Sequence, residues 1–148
     1  MSHVRQQIRE AIALKLTGLT TTEDRVYQNR FTTLDKANLP CLVITSIRDV
    51  SAGPISHDVP RTIQHDVSIK ITAYAKALDN LDDALDDICE QVEVAMSTDR
   101  KLSGLVFNVD LQATDIDFNG EGDQPHGIAQ LEYSVKYHVK ENDPSTAV

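Results

Sequence analysis

The chain has 148 residues, of which 23 are acidic and 14 basic, giving a formal charge of −9. That length is one ordinary domain, able to bury a core without metal or disulfide support. The acidic balance, with no run of Lys or Arg, argues against a surface built to neutralise a phosphate backbone.

Along the chain, Val4, Ile8, Ala11 and Ile12 recur at helical spacing with Arg5, Arg9 and Glu10 off that stripe, which predicts an amphipathic helix over residues 3 to 16. Gly18 stops it. Thr20 to Asp24 is a polar connector, Arg25 to Phe31 a short strand, and Thr32 to Asn38 a loop. Leu39 to Ile47 (LPCLVITSI) is apolar on both alternating faces and reads as a covered strand with Pro40 at its start. Cys41 within it and Cys89 further on stand outside any metal-ligand spacing and read as small buried hydrophobes.

Arg48 to Arg61 (RDVSAGPISHDVPR) has about twice the median length of a loop. It carries Val50, Ile55 and Val59, apolar residues that a purely solvated loop has no need of. It is expected to be a hairpin extension that gains order from a partner, with a mobile hairpin tip as the equal alternative. Thr62 to Ala75 follows with clean alternation: Ile63, Val67, Ile69, Ile71 and Ala73 on one side, Gln64, Asp66, Ser68, Lys70 and Thr72 on the other. That pattern predicts a half-buried antiparallel strand.

The second helix spans Leu81 to Met96. Asp79 or Asn80 is placed to cap it, and Asp82 and Asp83 suit the positive end of its dipole. Leu81, Leu85, Ile88, Cys89, Val92 and Met96 share its apolar stripe, while the opposite arc is acidic and broken only by Val94. Such an arc is most simply a solvated face, with docking of a basic partner as the sharper reading.

Leu105, Phe107, Val109, Leu111 and Ala113 then keep one phase before the apolar residues slip to Ile116 and Phe118, which predicts a β-bulge near Thr114 or Asp115. Asn119 to Gly127 is a hairpin loop of turn formers. The last strand puts Ala129, Leu131, Tyr133, Val135, Tyr137 and Val139 inward. Beyond Lys140 periodicity ends. The expectation is one domain over 1–140 and a flexible C-terminal tail over 141–148 that orders when something binds it. The order α-β-β-β-α-β-β predicts an α+β fold: an antiparallel or mixed sheet of about four to five strands with both helices packed on one face.

Chemistry is hard to find in this order of parts. His3, His57, His65, His126 and His138 show no metal-binding spacing, and His65 and Asp66, as strand neighbours, face opposite sides. Asp115 and Asp117 share a strand face, but no nucleophile, oxyanion hole or nucleotide loop accompanies them. The acidic stretch 115–123 fails the EF-hand template. No enzyme, cofactor or metal is expected. If there were a ligand site, it would combine Asp115, Asp117, His126 and the 119–127 loop. Seven Phe and Tyr residues scattered without Trp give no stacking platform for nucleic acid. No apolar run approaches the ~20 residues of a membrane span, and the polar opening Met1 to Arg9 leads us to expect no signal peptide and folding in a reducing cytoplasm.

Over about residues 4 to 140 the chain resembles the tail terminator family of siphophages, the group that includes the minor tail protein U of phage lambda. The resemblance is carried by RQQIREAIALKL, RVYQNRF, LPCLVITSI, TIQHDVSIKITAYA, LDDALDDICEQVEVAM and GIAQLEYSVKYHV. It implies a non-catalytic virion protein that forms a homo-oligomeric ring, a hexamer, on the head-proximal end of the tail tube. The ring would stop polymerisation of the tail tube protein and present a surface to the head-tail connector or neck protein, while genomic DNA passes through it without sequence-specific binding. Neither membrane nor cofactor is implied. Other neck proteins, for tail completion or head closure, share such small α+β folds and stay open as alternatives. The assembly-interface candidates are Arg48, Asp49, Val50, Ile55, Val59, Arg61 and Val94.

Overall fold

The computed structural model describes residues 2–28, 40–76, 80–119 and 126–148. The end of the first predicted strand, the loop over Thr32 to Asn38, Asp79 as a helix cap and the middle of the 119–127 turn lie outside the described residues.

Helix α1 covers Val4–Leu16. His3 caps it, its Nδ1 accepting from the Arg5 amide at 3.0 Å, and Val4, Ile8, Ile12 and Leu16 bury one stripe. At the other end Thr17 donates its hydroxyl to Ala13 O, and Gly18 turns the chain away at φ +94, a left-handed conformation that glycine adopts without strain. Strand β1 (Val26–Gln28) pairs in parallel with β2 (Cys41–Pro54), so the sheet is mixed. Arg25 stitches this junction, giving Nε to Pro40 O at 2.7 Å and Nη2 to Thr21 O at 3.0 Å.

β2 runs on through half of the segment expected to be a loop. It pairs with β3 (Thr62–Lys76) from Cys41 opposite Tyr74 to Pro54 opposite Ile63, leaving only residues 55–61 as the connecting turn. Two register shifts, between Ser46 and Arg48 and between Ser51 and Gly53, insert extra residues. Each reverses the alternation, so a strand with two bulges reads as an aperiodic loop.

Helix α2 (Leu81–Ser97) lies over β3 and over β5 (His126–Lys140). Leu85, Ile88, Cys89, Val92 and Met96 are its buried side chains. Asn80 does not cap α2 with its side chain; it sits at φ 59, ψ 36, and its carbonyl accepts from Ala84 N at 2.9 Å. Gln91 ties α2 back to the α1–β1 connector through Thr21, accepting from its amide at 3.1 Å and donating to its hydroxyl at 2.6 Å.

β3 and β5 pair without a break from Thr62–Lys140 to Lys76–His126 and form the sheet's centre. Strand β4 (Asn108–Asn119) is the edge beyond β5. Its bulge falls between Leu111 and Ala113, two residues ahead of the expected place, and Leu105 and Phe107 precede the strand. The expected flexible tail is instead a sixth strand, β6 (Asp143–Ala147), paired with the end of β5 and tied to α1 by Gln7 Nε2, which donates to Ser145 O at 2.7 Å. Its five residues are too few and too polar to show a period.

The resulting order β1-β2-β3-β5-β4 has both helices on one face, as the sequence predicts. Leu42, Ile44, Val67, Ile69, Ile71, Leu131, Val135 and the helix stripes make the core, and the other face is polar except at one end, where Cys41 and Val43 are buried beside Tyr74.

Candidate functional site

The segment 48–61 stands on a polar cluster at the base of the β2–β3 hairpin. The bulge at residue 47 brings Asp49 opposite Val67 on the inner face, where its side chain is only 7% exposed. Three elements converge on that carboxylate. Tyr137 of β5 donates its hydroxyl to Oδ2, His65 of β3 lies with Nδ1 3.1 Å from Oδ1, and Arg5 of α1 approaches Oδ2 at 3.5 Å. Since a carboxylate accepts, these contacts fix the His65 tautomer that carries its proton on Nδ1. The His65 and Tyr137 rings stack at 5.0 Å with 11° between planes. Burial, then the bond to Asp49, raises the Tyr137 phenol well above its usual range. Burial and the neighbouring Arg5 lower the His3 imidazole. The cluster thereby clamps the hairpin base to α1 and β5.

Above this clamp the hairpin carries exposed apolar side chains. Val50 and Ile55 face solvent, and Val59 is 88% exposed. Arg48 is exposed beside them. The turn is ordered by Ile55 N donating to Thr62 O at 2.8 Å and Thr62 N to the Ser56 hydroxyl at 2.9 Å. Arg61 grips the β5–β6 turn: Nε donates to Glu141 Oε2 at 3.0 Å, and Glu141 N donates to Arg61 O at 2.9 Å. Of the interface candidates read from sequence, five thus share the exposed part of the hairpin, and Asp49 is the buried post that holds it.

Val94 lies elsewhere, on the outward face of α2 at 59% exposure, over a groove of about 330 Å³ lined by Leu19, Thr20, Glu90, Gln91 and Ala95. Sequence reasoning missed a third surface. Leu111, Ile116 and Phe118 share one face of β4 and are exposed because α2 extends over β3 and β5. Their alternation with Asp110, Asp115 and Asp117 was visible, but alternation alone does not say whether a helix reaches the face.

The residues considered for chemistry do not converge. Asp115 and Asp117 stand opposite Gln130 and Ile128 on the outer face of β4 and are exposed. His65 bonds to Asp49 on the inner face, whereas Asp66 accepts from Ser134 Oγ at 2.6 Å on the outer one. His57 and Asp58 are exposed at the hairpin turn. Among the described residues no group of three or more His, Cys, Asp or Glu is placed to hold a metal ion, and no helix is long and apolar enough to cross a membrane.

An open sheet with apolar side chains presented on rigid supports defines a domain built for contact with other proteins. The chain belongs to the phage minor tail protein U family, whose model matches residues 3–137. It is a structural protein of the phage tail and so of the virion. No curated protein sequence matches it. Among solved structures, a chain of the virion of a native gene transfer agent particle is 12% identical, with 90% of this chain and 92% of that one covered at a TM-score of 0.37; so loose a likeness carries no argument.

Proposed function

We propose that this protein is a tail terminator: a non-enzymatic hexameric ring on the head-proximal end of the tail tube that stops polymerisation and offers the attachment surface for the neck. The observation that carries the reading is the β2–β3 hairpin, whose exposed Val50, Ile55 and Val59 rise from the buried Asp49 clamp. Apolar side chains on a fixed support lose little conformational freedom on docking, which suits a contact made with one partner geometry. Arg48 and Arg61 flank that contact. Val94, with its groove, is the second surface, turned toward the tube or the neck.

DNA passing through such a ring meets a protein of net charge −9. Carboxylates along a lumen repel phosphates and keep the strand from sticking.

The test is polymerisation of the tail tube protein with and without this protein. A terminator fixes tube length at the moment of its addition and sits at one end. Tubes that continue to grow at an unchanged rate would refute it and leave another neck role.

A further inference from the structure

Beyond β5 the sheet presents an apolar surface that no described residue covers, next to an edge that no described strand pairs. On the inner face of β4, Leu111, Ile116 and Phe118 are 38, 46 and 48% exposed, and among the described residues no strand pairs with the outer edge of β4. An edge strand with a bare apolar face is a liability unless something covers it. The rim of this stripe is acidic. Asp82 and Asp83 at the start of α2 stand beside Phe118, are exposed, and form no ion pair among the described residues.

The opposite corner of the same chain carries the complement. There the hairpin exposes Ile47, Val50, Ile55 and Val59 with Arg48 beside them. The hairpin turn and the Phe118 end of the stripe are separated by most of β5, which runs from Gly127 opposite Phe118 to Val139 opposite Ile63. Arg48 and Val50 are level with Ser134 and Lys136 of β5, on the far side of β3 from β5 and its neighbour β4. At ~3.3 Å per residue the turn stands roughly 40 Å from Phe118, so the turn of a copy does not reach that end of its own stripe.

We propose that the hairpin of one copy packs on the β4 stripe of the next, apolar on apolar, with Arg48 facing the acidic rim. This inference rests on the ring reading above and names the two surfaces that meet in it. Different patches at opposite corners make a heterologous, head-to-tail contact, the kind that closes into a ring when its rotation permits. Pairing within the chain is what favours a second copy: in a protein of charge −9, the exposed Arg48 stands beside the apolar residues that the acidic stripe lacks a cover for.

The experiment uses two variants of the full chain, Ile55→Asp/Val59→Asp without a working hairpin and Ile116→Asp/Phe118→Asp without a working stripe. Sedimentation velocity follows each alone, their equimolar mixture and the wild type, with and without tail tubes. The wild type is expected to form rings, each variant to stay monomeric, and the mixture to stop at a heterodimer, because only one intact hairpin and one intact stripe remain. Should a variant fail to fold, the exposed pair Arg48→Glu and Asp82→Lys/Asp83→Lys replaces it: each alone is expected to weaken association about tenfold, and their mixture to recover it, because both contacts between unlike copies are then matched. Rings from the stripe variant, or a mixture that stays monomeric, would overturn the proposal while leaving the ring reading in place. Rings that form but no longer cap tubes would assign the stripe to the tube protein instead. A wild type that never self-associates, alone or on tubes, would end the ring reading and this contact with it.

Discussion

Tyr137 on β5 reaches across the intervening strand β3 to donate its hydroxyl to Asp49 on β2. The bond closes a bridge over His65 and holds the hairpin base in place from two strands away. Tyr137→Phe keeps the ring and removes the donor, so the largely buried carboxylate loses one of its three partners. The expected cost is about 1–3 kcal/mol of stability, read from the urea midpoint at an unchanged slope. A midpoint equal to wild type would show that the cluster does not hold the hairpin.

Alkaline pH should unfasten the same region. Burial raises the phenols of Tyr137 and Tyr133 above the usual 10.0, with Asp49 adding to the first and Glu93 to the second. A folded chain that binds these protons more tightly than the unfolded one has their full contribution below about pH 10 and loses it as pH climbs further. Unfolding free energy is therefore expected to fall with pH above 10, less steeply in Tyr133→Phe/Tyr137→Phe. A stability that rises over that range would contradict the assignment.

The thiol of Cys89 tells the same story at lower pH. Burial, with Glu93 and Asp86 nearby, pushes it up to about 11. Iodoacetamide at pH 8 is expected to leave Cys89 and the fully buried Cys41 unmodified in the folded protein while labelling both in urea, as mass spectrometry reports. Rapid labelling of native Cys89 would mean that α2 lifts from the sheet.

At Gly127 the side chains of α2 pack directly on the backbone of β5. A Cβ there would stand 2.7 Å from Leu85 Cδ1 and 3.0 Å from Leu81 Cγ. Gly127→Ala is expected to cost about 1–3 kcal/mol by overpacking, with part recovered in Gly127→Ala/Leu85→Val. Thermal melts decide it, and a variant as stable as wild type would show that the helix stands further off.

Long unbroken periods were legible in the sequence. The stripe of α2, the alternation of β3 and β5 and the shared helix face all follow from residues that keep one phase along elements of 15 to 17 residues. Elements that break phase were not. β2 passes two bulges and turned into a loop on paper, and β6 is too short and polar to show any period. The hairpin surface was legible because Val50, Ile55 and Val59 are out of place in solvent. Asp49 reads from sequence only as an interface candidate, since nothing local shows that a bulge turns it toward Tyr137. The exposure of the β4 stripe was not legible, because coverage by a helix is a tertiary fact that one strand's pattern does not contain.

The most direct test of the central claim is the state of the purified protein alone and on isolated tail tubes, measured by light scattering and negative-stain imaging. Six-fold rings, or a single cap on one end of each tube, are the predicted result. A protein that stays monomeric and leaves both tube ends bare would contradict it.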